Sequence, residues 1–215
     1  MIDFNGKNKA RAHFTHSAIL ILSFFLSAFR AVHAENKEWG KIGLKTVSIT
    51  TDGTECPIKL NDPYGGRLTK NGYVVEVTPP PTLKPLNIRL ELECRDASDI
   101  DSMRFNVFRF DAKTLSWKKD VSHLEDIDKK NVEPYIKLFT ISSINSRGIG
   151  ATETLPPGGD TGYPVSFYFC LRHPPRMLCG SSSDAGGVKN LNSTHYLYNK
   201  IPEILKIIES IEFIN

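Results

Sequence analysis

The feature that most constrains the fold is the segment LNIRLELEC, residues 86–94, in which apolar and polar side chains alternate without a break. Every even-numbered position carries an apolar side chain, and every odd-numbered position carries a polar or charged one. Successive side chains of a strand point to opposite faces of a sheet, so this period is typical of a strand with one face in water. The segment therefore predicts a half-buried strand.

Several other segments are rich in β-branched and aromatic residues, which favour strands. The segment 66–77 predicts a hairpin, because Asn71-Gly72 can supply the positive φ angles of a tight turn. Further strands are predicted at 45–51, 104–110, 134–142 and 165–171. Their number indicates an antiparallel or mixed sheet.

The segment 199–213 has a helical period instead. Pro202 suits a first helical turn and Glu203 suits the positive end of the helix dipole. Apolar residues recur at helical spacing, at Ile201, Ile204, Leu205, Ile208 and Ile211. A weaker pattern at 121–135 fits a solvated helix or a loop. The predicted fold class is therefore α+β, a mainly antiparallel sheet with a C-terminal amphipathic helix packed on it.

The first 34 residues have the order of a secretory signal peptide. Three basic residues precede the apolar run 18–28, and small residues follow it up to Ala34. An uncleaved anchor would need about 20 apolar residues, and Arg30 interrupts the run too early. We predict a signal peptide at 1–34, one disulfide-stabilised domain at 35–215, and a periplasmic or extracellular location. The mature chain is not expected to insert stably into a membrane.

Removing this leader changes the charge of the chain. The full sequence has 27 Lys and Arg against 24 Asp and Glu, and the leader holds four of the basic residues and one of the acidic ones. The remainder has 23 of each and is neutral. General nucleic-acid binding needs a net basic face that displaces counterions. The composition therefore argues against a nucleic-acid partner, and it gives no indication of an oligomeric state.

Four cysteines, Cys56, Cys94, Cys170 and Cys179, follow the leader. An even number of cysteines in an exported protein indicates disulfides, and four cysteines allow three connectivities. Cys170–Cys179 is favoured because eight residues with two prolines separate these cysteines between two strand-like runs. Cys56–Cys94 follows by elimination.

A metal site is the alternative for the second cysteine pair. Cys170, His173 and Cys179 offer ligands that suit zinc, but a structural zinc site needs four ligands in closely spaced pairs. Gly148-Ile149-Gly150 is too short for a dinucleotide fingerprint. No hydrolase motif is present either. We therefore predict no metal, no cofactor and no catalytic residue.

The segment 145–164 is rich in Gly, Pro and Thr and is predicted to be a long connection between two strands. Long loops in compact domains are either functional or disordered. In the functional alternative, acidic and aromatic groups of this loop contact a partner. The candidate partner-binding residues are Thr152, Glu153, Asp160 and Tyr163.

The last third of the chain resembles a group of small exported bacterial proteins. The segment IPEILKIIESIEFI, 201–214, ends the chain, and FCL at 169–171 shortly precedes LCG at 178–180. These segments are similar to those of small periplasmic domains that include immunity proteins, which protect bacteria from secreted antibacterial toxins. The resemblance implies a protein that binds and blocks a partner in the periplasm, and it assigns no functional residue.

Two classes of function remain open from the sequence. The first is an exported binding protein, an immunity-type inhibitor of a secreted toxin enzyme, and it is favoured because catalytic motifs are missing. The second is an exported hydrolase whose site is assembled from distant residues. His173 and His195 would be the histidines to test for such an activity.

Overall fold

The structure is a computed structural model that describes residues 41–77, 86–98, 104–105, 107–122, 126–155, 162–190 and 196–215. All of these belong to one compact unit, Gly40–Asn215. The predicted leader lies outside the described residues, so the signal peptide stays a prediction. In the part of the chain that the structure describes, no helix is long and apolar enough to cross a membrane.

Strands dominate the described residues. The early strands are β1 Gly43–Thr51, β2 Thr54–Asp62, β3 Arg67–Thr69, β4 Gly72–Val77, β5 Leu86–Asp96, β6 Arg104–Phe105, β7 Phe108–Asp111 and β8 Ser116–Lys119. The later strands are β9 Ile136–Ser142, β10 Arg147–Thr154, β11 Tyr163–His173, β12 Arg176–Val188, β13 Tyr196–Asn199 and β14 Ile211–Phe213. The described residues also contain two helices, α1 Asp126–Val132 and α2 Ile201–Glu209, and a short 3-10 turn, Glu133–Tyr135.

The strands form three antiparallel sheets. The large sheet has eight strands in the order β3-β4-β5-β12-β11-β10-β9, and β13 also pairs with β12. A three-stranded sheet, β1-β2-β14, brings the end of the chain against β2. Another three-stranded sheet has the order β6-β7-β8. Every strand pair among the described residues is antiparallel, including pairs of strands that are distant in sequence.

Each face of the large sheet is covered in part by another sheet. On one face, the even-numbered apolar residues of β5 join the β1-β2-β14 sheet and α2 in one cluster, which includes Leu90, Phe169, Ile58, Ile204 and Phe213. On the other face, a second cluster unites the large sheet with the β6-β7-β8 sheet and includes Ile149, Cys170, Met177, Phe108 and Phe110. The result is a layered arrangement in which each three-stranded sheet covers part of the large sheet.

The predicted α+β class is wrong. The structure is 65% strand and 11% helical, and its two helices are short, so the fold is essentially all-β. The segment predicted to end the chain as an amphipathic helix is helical only over nine residues, Ile201–Glu209. Ile211, which the helical spacing had included, pairs instead with Leu60 of β2. The chain therefore closes a sheet at its end.

The two disulfides are Cys56–Cys94 and Cys170–Cys179, the pairs favoured from the sequence. Cys170 and Cys179 are directly opposite each other in the β11–β12 hairpin, whose two-residue turn is Pro174-Pro175 with a cis peptide bond. Cys56 on β2 is joined to Cys94 on β5, so this bond links the β1-β2-β14 sheet to the large sheet. No cysteine of the described part has a free thiol.

The structure also differs from two local predictions, one of a strand and one of a turn. The segment 104–110 contains two short strands, β6 and β7, instead of one. In the β3–β4 hairpin, Thr69 pairs with Gly72, so Lys70 and Asn71 form the turn. Gly72 has φ +153°, and a Cβ there would collide with the carbonyl oxygen of Leu90. The glycine is therefore needed for the close approach of β4 to β5.

Candidate functional site

Three of the four predicted partner-binding residues are in strands instead of a loop, two of them in β10 and Tyr163 at the start of β11. Thr152 and Glu153 belong to β10, and their residue exposures are 7% and 9%. The hydroxyl of Tyr168 donates a hydrogen bond to Glu153 Oε2 at 2.9 Å. The interpretation of 145–164 as one long connection is wrong over residues 147–154, because β10 occupies them. Thr152 and Glu153 are thus buried, and their contact with a partner stays a prediction.

The other two predicted residues are at the far end of that segment. Asp160 lies outside the described residues, and Tyr163 begins β11 half-buried. Tyr163 pairs with Val188 of β12, and Val188 pairs on its other side with Tyr196 of β13. The structure therefore places Tyr163 one strand away from β13, and its contact with a partner stays a prediction.

β13 exposes three consecutive large side chains. Tyr196, Leu197 and Tyr198 are 38%, 49% and 38% exposed, and no other run of consecutive residues is found among the exposed large hydrophobics of the described chain. Leu197 alternates with the two tyrosines along the strand, so the three side chains are exposed on both sides of β13. Large apolar side chains exposed together on one short strand are a candidate interaction site. We call residues 196–198 the tyrosine edge. β12 is the strand partner of β13 within the described residues, so β13 is a short edge strand there.

Glycines of β12 position the two tyrosine rings. A Cβ on Gly187 would lie 2.7 Å from the ring of Tyr198, and a Cβ on Gly186 would lie 3.1 Å from the ring of Tyr196. Both rings therefore pack against backbone that carries no side chain. These glycines belong to 180–187, a segment of small residues in the second half of β12.

A charged pair holds one side of the tyrosine edge. The hydroxyl of Tyr198 donates a hydrogen bond to Asp184 Oδ1 at 2.6 Å, and Lys200 Nζ is 2.6 Å from Asp184 Oδ2. The ammonium of Lys200 also lies 5.5 Å from the ring centre of Tyr198. The hydrogen bond to Asp184, together with partial burial and the carboxylate charge, raises the pKa of Tyr198 to about 12. Tyr198 is thus a neutral donor at physiological pH.

The histidine proposed for a hydrolase is part of a packing contact. His173 ends β11 and stacks on Phe213, with ring centres 4.8 Å apart. Its Nδ1 is 3.2 Å from the backbone oxygen of Asn145, and its Nε2 is 3.1 Å from Asn215 Oδ1. Both ring nitrogens are therefore engaged, Nδ1 by the β9–β10 turn and Nε2 by the last residue of the chain. His195 lies outside the described residues.

A polar cleft of about 720 Å³ lies beside the exposed face of β5. Its charges are largely matched within it: Arg89 is 3.7 Å from Glu91, and Arg95 is hydrogen-bonded to Glu93. Side chains that neutralise one another offer little free charge to a ligand. Among the described residues, no group of three or more His, Cys, Asp or Glu side chains could hold a metal ion.

Sequence reasoning did not single out the tyrosine edge. Its signal is the triplet Tyr196-Leu197-Tyr198, but a triplet of large side chains is equally typical of a buried strand. Only the pairing of β13 at the margin of the sheet shows that these side chains are exposed. Comparisons of the chain with protein-family models, curated proteins and solved structures found no match. The inference of function therefore rests on the geometry of the surface.

Proposed function

We propose that this chain is an exported binding protein that engages a protein partner through the tyrosine edge. The observation that carries the proposal is the run of three exposed large side chains on an edge strand, residues 196–198. Tyrosine is enriched among the residues that dominate binding energy at protein interfaces. A hydrophobic centre with a polar rim, here supplied by Asp184 and Lys200, is the usual anatomy of such an interface.

The tyrosine edge is preorganised for binding. The ring of Tyr198 is held by Gly187 on one side and by the hydrogen bond from its hydroxyl to Asp184. A side chain that is already fixed loses less conformational entropy when a partner covers it. An edge strand also offers backbone groups that can pair with an extended segment of a partner. Both features favour a protein partner.

We further propose that the partner is a secreted toxin enzyme, which the chain blocks as an immunity-type inhibitor. The similarity of the last third of the chain to periplasmic immunity proteins supports this form of binding. The two disulfides and the lack of a membrane-crossing helix in the described residues fit a secreted or periplasmic protein. Removal of residues 1–34 as a signal peptide belongs to the same proposal.

The test is a capture experiment with the full chain, tagged at its C-terminus and exported in its native host under competition with other bacteria. Proteins that co-purify are identified by mass spectrometry, and the intact mass of the captured chain reports whether residues 1–34 have been removed. The partner is then purified, and its enzymatic activity is titrated with the chain. We expect stoichiometric inhibition by the wild-type protein.

Variants of the tyrosine edge make the test specific. Tyr196→Ala combined with Tyr198→Ala is expected to weaken binding of the partner at least about tenfold, since it removes two interface aromatics. Leu44→Ala is the matched control, because Leu44 is 69% exposed on β1 in another sheet. Equal affinity of the double variant and the wild type would reject the tyrosine edge. Partner binding without inhibition would reject the immunity-type function alone.

A further inference from the structure

A second cleft, of about 570 Å³, lies where β10 and β11 meet the β6-β7-β8 sheet. Arg147 and Arg172 line it from the large sheet. Its apolar walls are Phe110, Leu115, Trp117, Ile149 and Pro174. No carboxylate is among the described residues that line it. We call this cleft, defined by Arg147, Arg172, Phe110 and Trp117, the arginine cleft.

The two arginines are a like-charge pair. Arg147 of β10 and Arg172 of β11 are directly opposite each other in the strand register. Like charges at such positions destabilise a sheet. Neither arginine forms an ion pair with an acidic side chain within the described residues, whereas Arg89 and Arg95 of the polar cleft each have a glutamate beside them. Within the part of the chain that the structure describes, the positive charge of the arginine cleft is therefore uncompensated.

The position of Arg172 indicates where an anion would bind. Its Nε is buried and has no hydrogen-bond partner among the described residues, and a buried donor without a partner costs stability. Its guanidinium carbon lies 4.8 Å from the centre of the Phe110 ring. Phe110 in turn packs against Trp117 with ring centres 5.2 Å apart. The guanidinium group is thus held on an aromatic wall that also borders the cleft.

We propose that the arginine cleft binds a small organic carboxylate with an apolar body. Guanidinium groups match a carboxylate through paired N–H donors, and the two arginines of adjacent strands would share its charge. The aromatic and aliphatic walls would cover the apolar part of the same molecule. The volume is within the range of ordinary small-molecule sites, about 300–1,000 Å³. The proposal stands apart from the tyrosine edge, which uses different residues.

Inorganic phosphate is the competing anion, and the walls of the cleft argue against it. Phosphate would satisfy the arginines but has no apolar group to cover the exposed side chain of Leu115 and the rest of the apolar wall. Leu115 is 73% exposed on the β7–β8 turn, so a bound apolar group would remove it from water. An organic acid gains binding free energy by burying apolar surface in the cleft, whereas an inorganic anion has no apolar surface to bury.

The experiment is a titration of the purified full chain by calorimetry, with cyclohexanecarboxylate as the probe. Fluorescence of Trp117 is followed in parallel in a Trp39→Phe background, since the chain has two tryptophans. Cyclohexanecarboxamide is a control that has the same ring but no charge. Inorganic phosphate is a control that has charge but no apolar group. We expect a dissociation constant for the carboxylate of about 10⁻⁵–10⁻³ M, with the carboxamide and phosphate at least about tenfold weaker.

Three variants assign the binding to the arginine cleft. Arg172→Gln and Arg147→Gln should each weaken carboxylate binding at least about tenfold, while Arg89→Gln should leave it unchanged. Arg147 is exposed, so its variant keeps the test valid even if Arg172→Gln impairs folding. No saturable binding, equal affinity for the carboxamide, phosphate binding as tightly as the carboxylate, or an equal loss in Arg89→Gln would each overturn the proposal.

Discussion

Asp62 is an acidic residue that the fold buries completely. Lys45 Nζ lies 2.9 Å from Asp62 Oδ2, and both side chains are at most 4% exposed. Asp62 Oδ1 accepts hydrogen bonds from the hydroxyl of Tyr73 at 2.5 Å and from two backbone N–H groups of the following turn. A buried charge is tolerated only when it is paired and hydrogen-bonded, as it is here. In the sequence both residues look like ordinary surface charges, because nothing local reveals their partners.

Tyr168 allows a prediction about pH. Burial, followed by the charge and hydrogen bond of Glu153, raises the pKa of Tyr168 from 10.0 to about 12. The unfolded chain releases this proton near pH 10, whereas the folded chain keeps it up to about pH 12. The contribution of protonated Tyr168 to the free energy of unfolding is therefore fully present below pH 10 and is lost as the pH rises to 12. Tyr168→Phe should make the fall in unfolding free energy over this window shallower than in the wild type.

The measurement is urea denaturation of both proteins at several pH values between 8 and 12. Tyr135→Phe is the control, because Tyr135 lies in the 3-10 turn, outside the sheets. Parallel curves for Tyr168→Phe and the wild type would show that Tyr168 does not titrate as its surroundings indicate.

At the scale of single elements, the sequence predicted those strands whose side chains alternate or are uniformly β-branched. β5 follows from the strict alternation of 86–94, and β3 and β4 follow from the hairpin signal. The end of β12 could not be predicted, because Gly186 and Gly187 have no side chains to show a period. They belong to the strand through pairing with β11 on one side and β13 on the other. Ile211 was misassigned because a helix period continued into a strand that pairs at long range.

The two disulfides allow a prediction at this scale. Cys170 and Cys179 are nine positions apart in one hairpin, whereas Cys56 and Cys94 are 38 apart and connect two sheets. In the chain-entropy model, the stabilisation grows with the logarithm of the loop length. Removing Cys170–Cys179 by double alanine substitution should cost about 2–3 kcal/mol, and removing Cys56–Cys94 should cost about 1 kcal/mol more.

Both double variants are compared with the wild type by urea denaturation without reductant. Mass spectrometry after alkylation of unfolded protein is the control, and the wild type should show no free thiol. A larger loss from the hairpin disulfide would mean that strain or residual structure outweighs the entropy of the longer loop. Alkylation of the wild type without reductant would contradict both pairings.

The arrangement of the whole molecule depends on pairings between distant segments. β14 is next to β2, and β5 is next to β12, although many residues separate the partners in the chain. Local patterns predict which segments are strands, but they do not determine which strands are neighbours, since any exposed edge of suitable pattern can pair. The tyrosine edge and the arginine cleft were missed for the same reason. Each is assembled from residues whose closeness or exposure is a property of the sheet order.

The end of the chain gives a prediction for the molecule as a whole. Asn145 lies in the β9–β10 turn and forms two hydrogen bonds with Phe213. Its Nδ2 donates to the backbone oxygen of Phe213 at 2.8 Å, and its Oδ1 accepts from the backbone N–H of Phe213 at 2.9 Å. These two bonds connect the large sheet to β14, across 68 positions of sequence. Asn145→Ala should lower the free energy of unfolding by about 1–3 kcal/mol, because two net hydrogen bonds are lost.

Asn87→Ala is the matched control for this variant, since Asn87 is exposed on β5 and should change the stability by less than about 0.5 kcal/mol. Hydrogen exchange locates the effect. If Asn145 holds β14 in place, the amides of β14 and of its partner β2 should exchange faster in Asn145→Ala, while those of β11 and β12 should not. Uniformly faster exchange would indicate instead that β14 and the large sheet unfold together, so that Asn145 contributes to global stability and not to the docking of one strand.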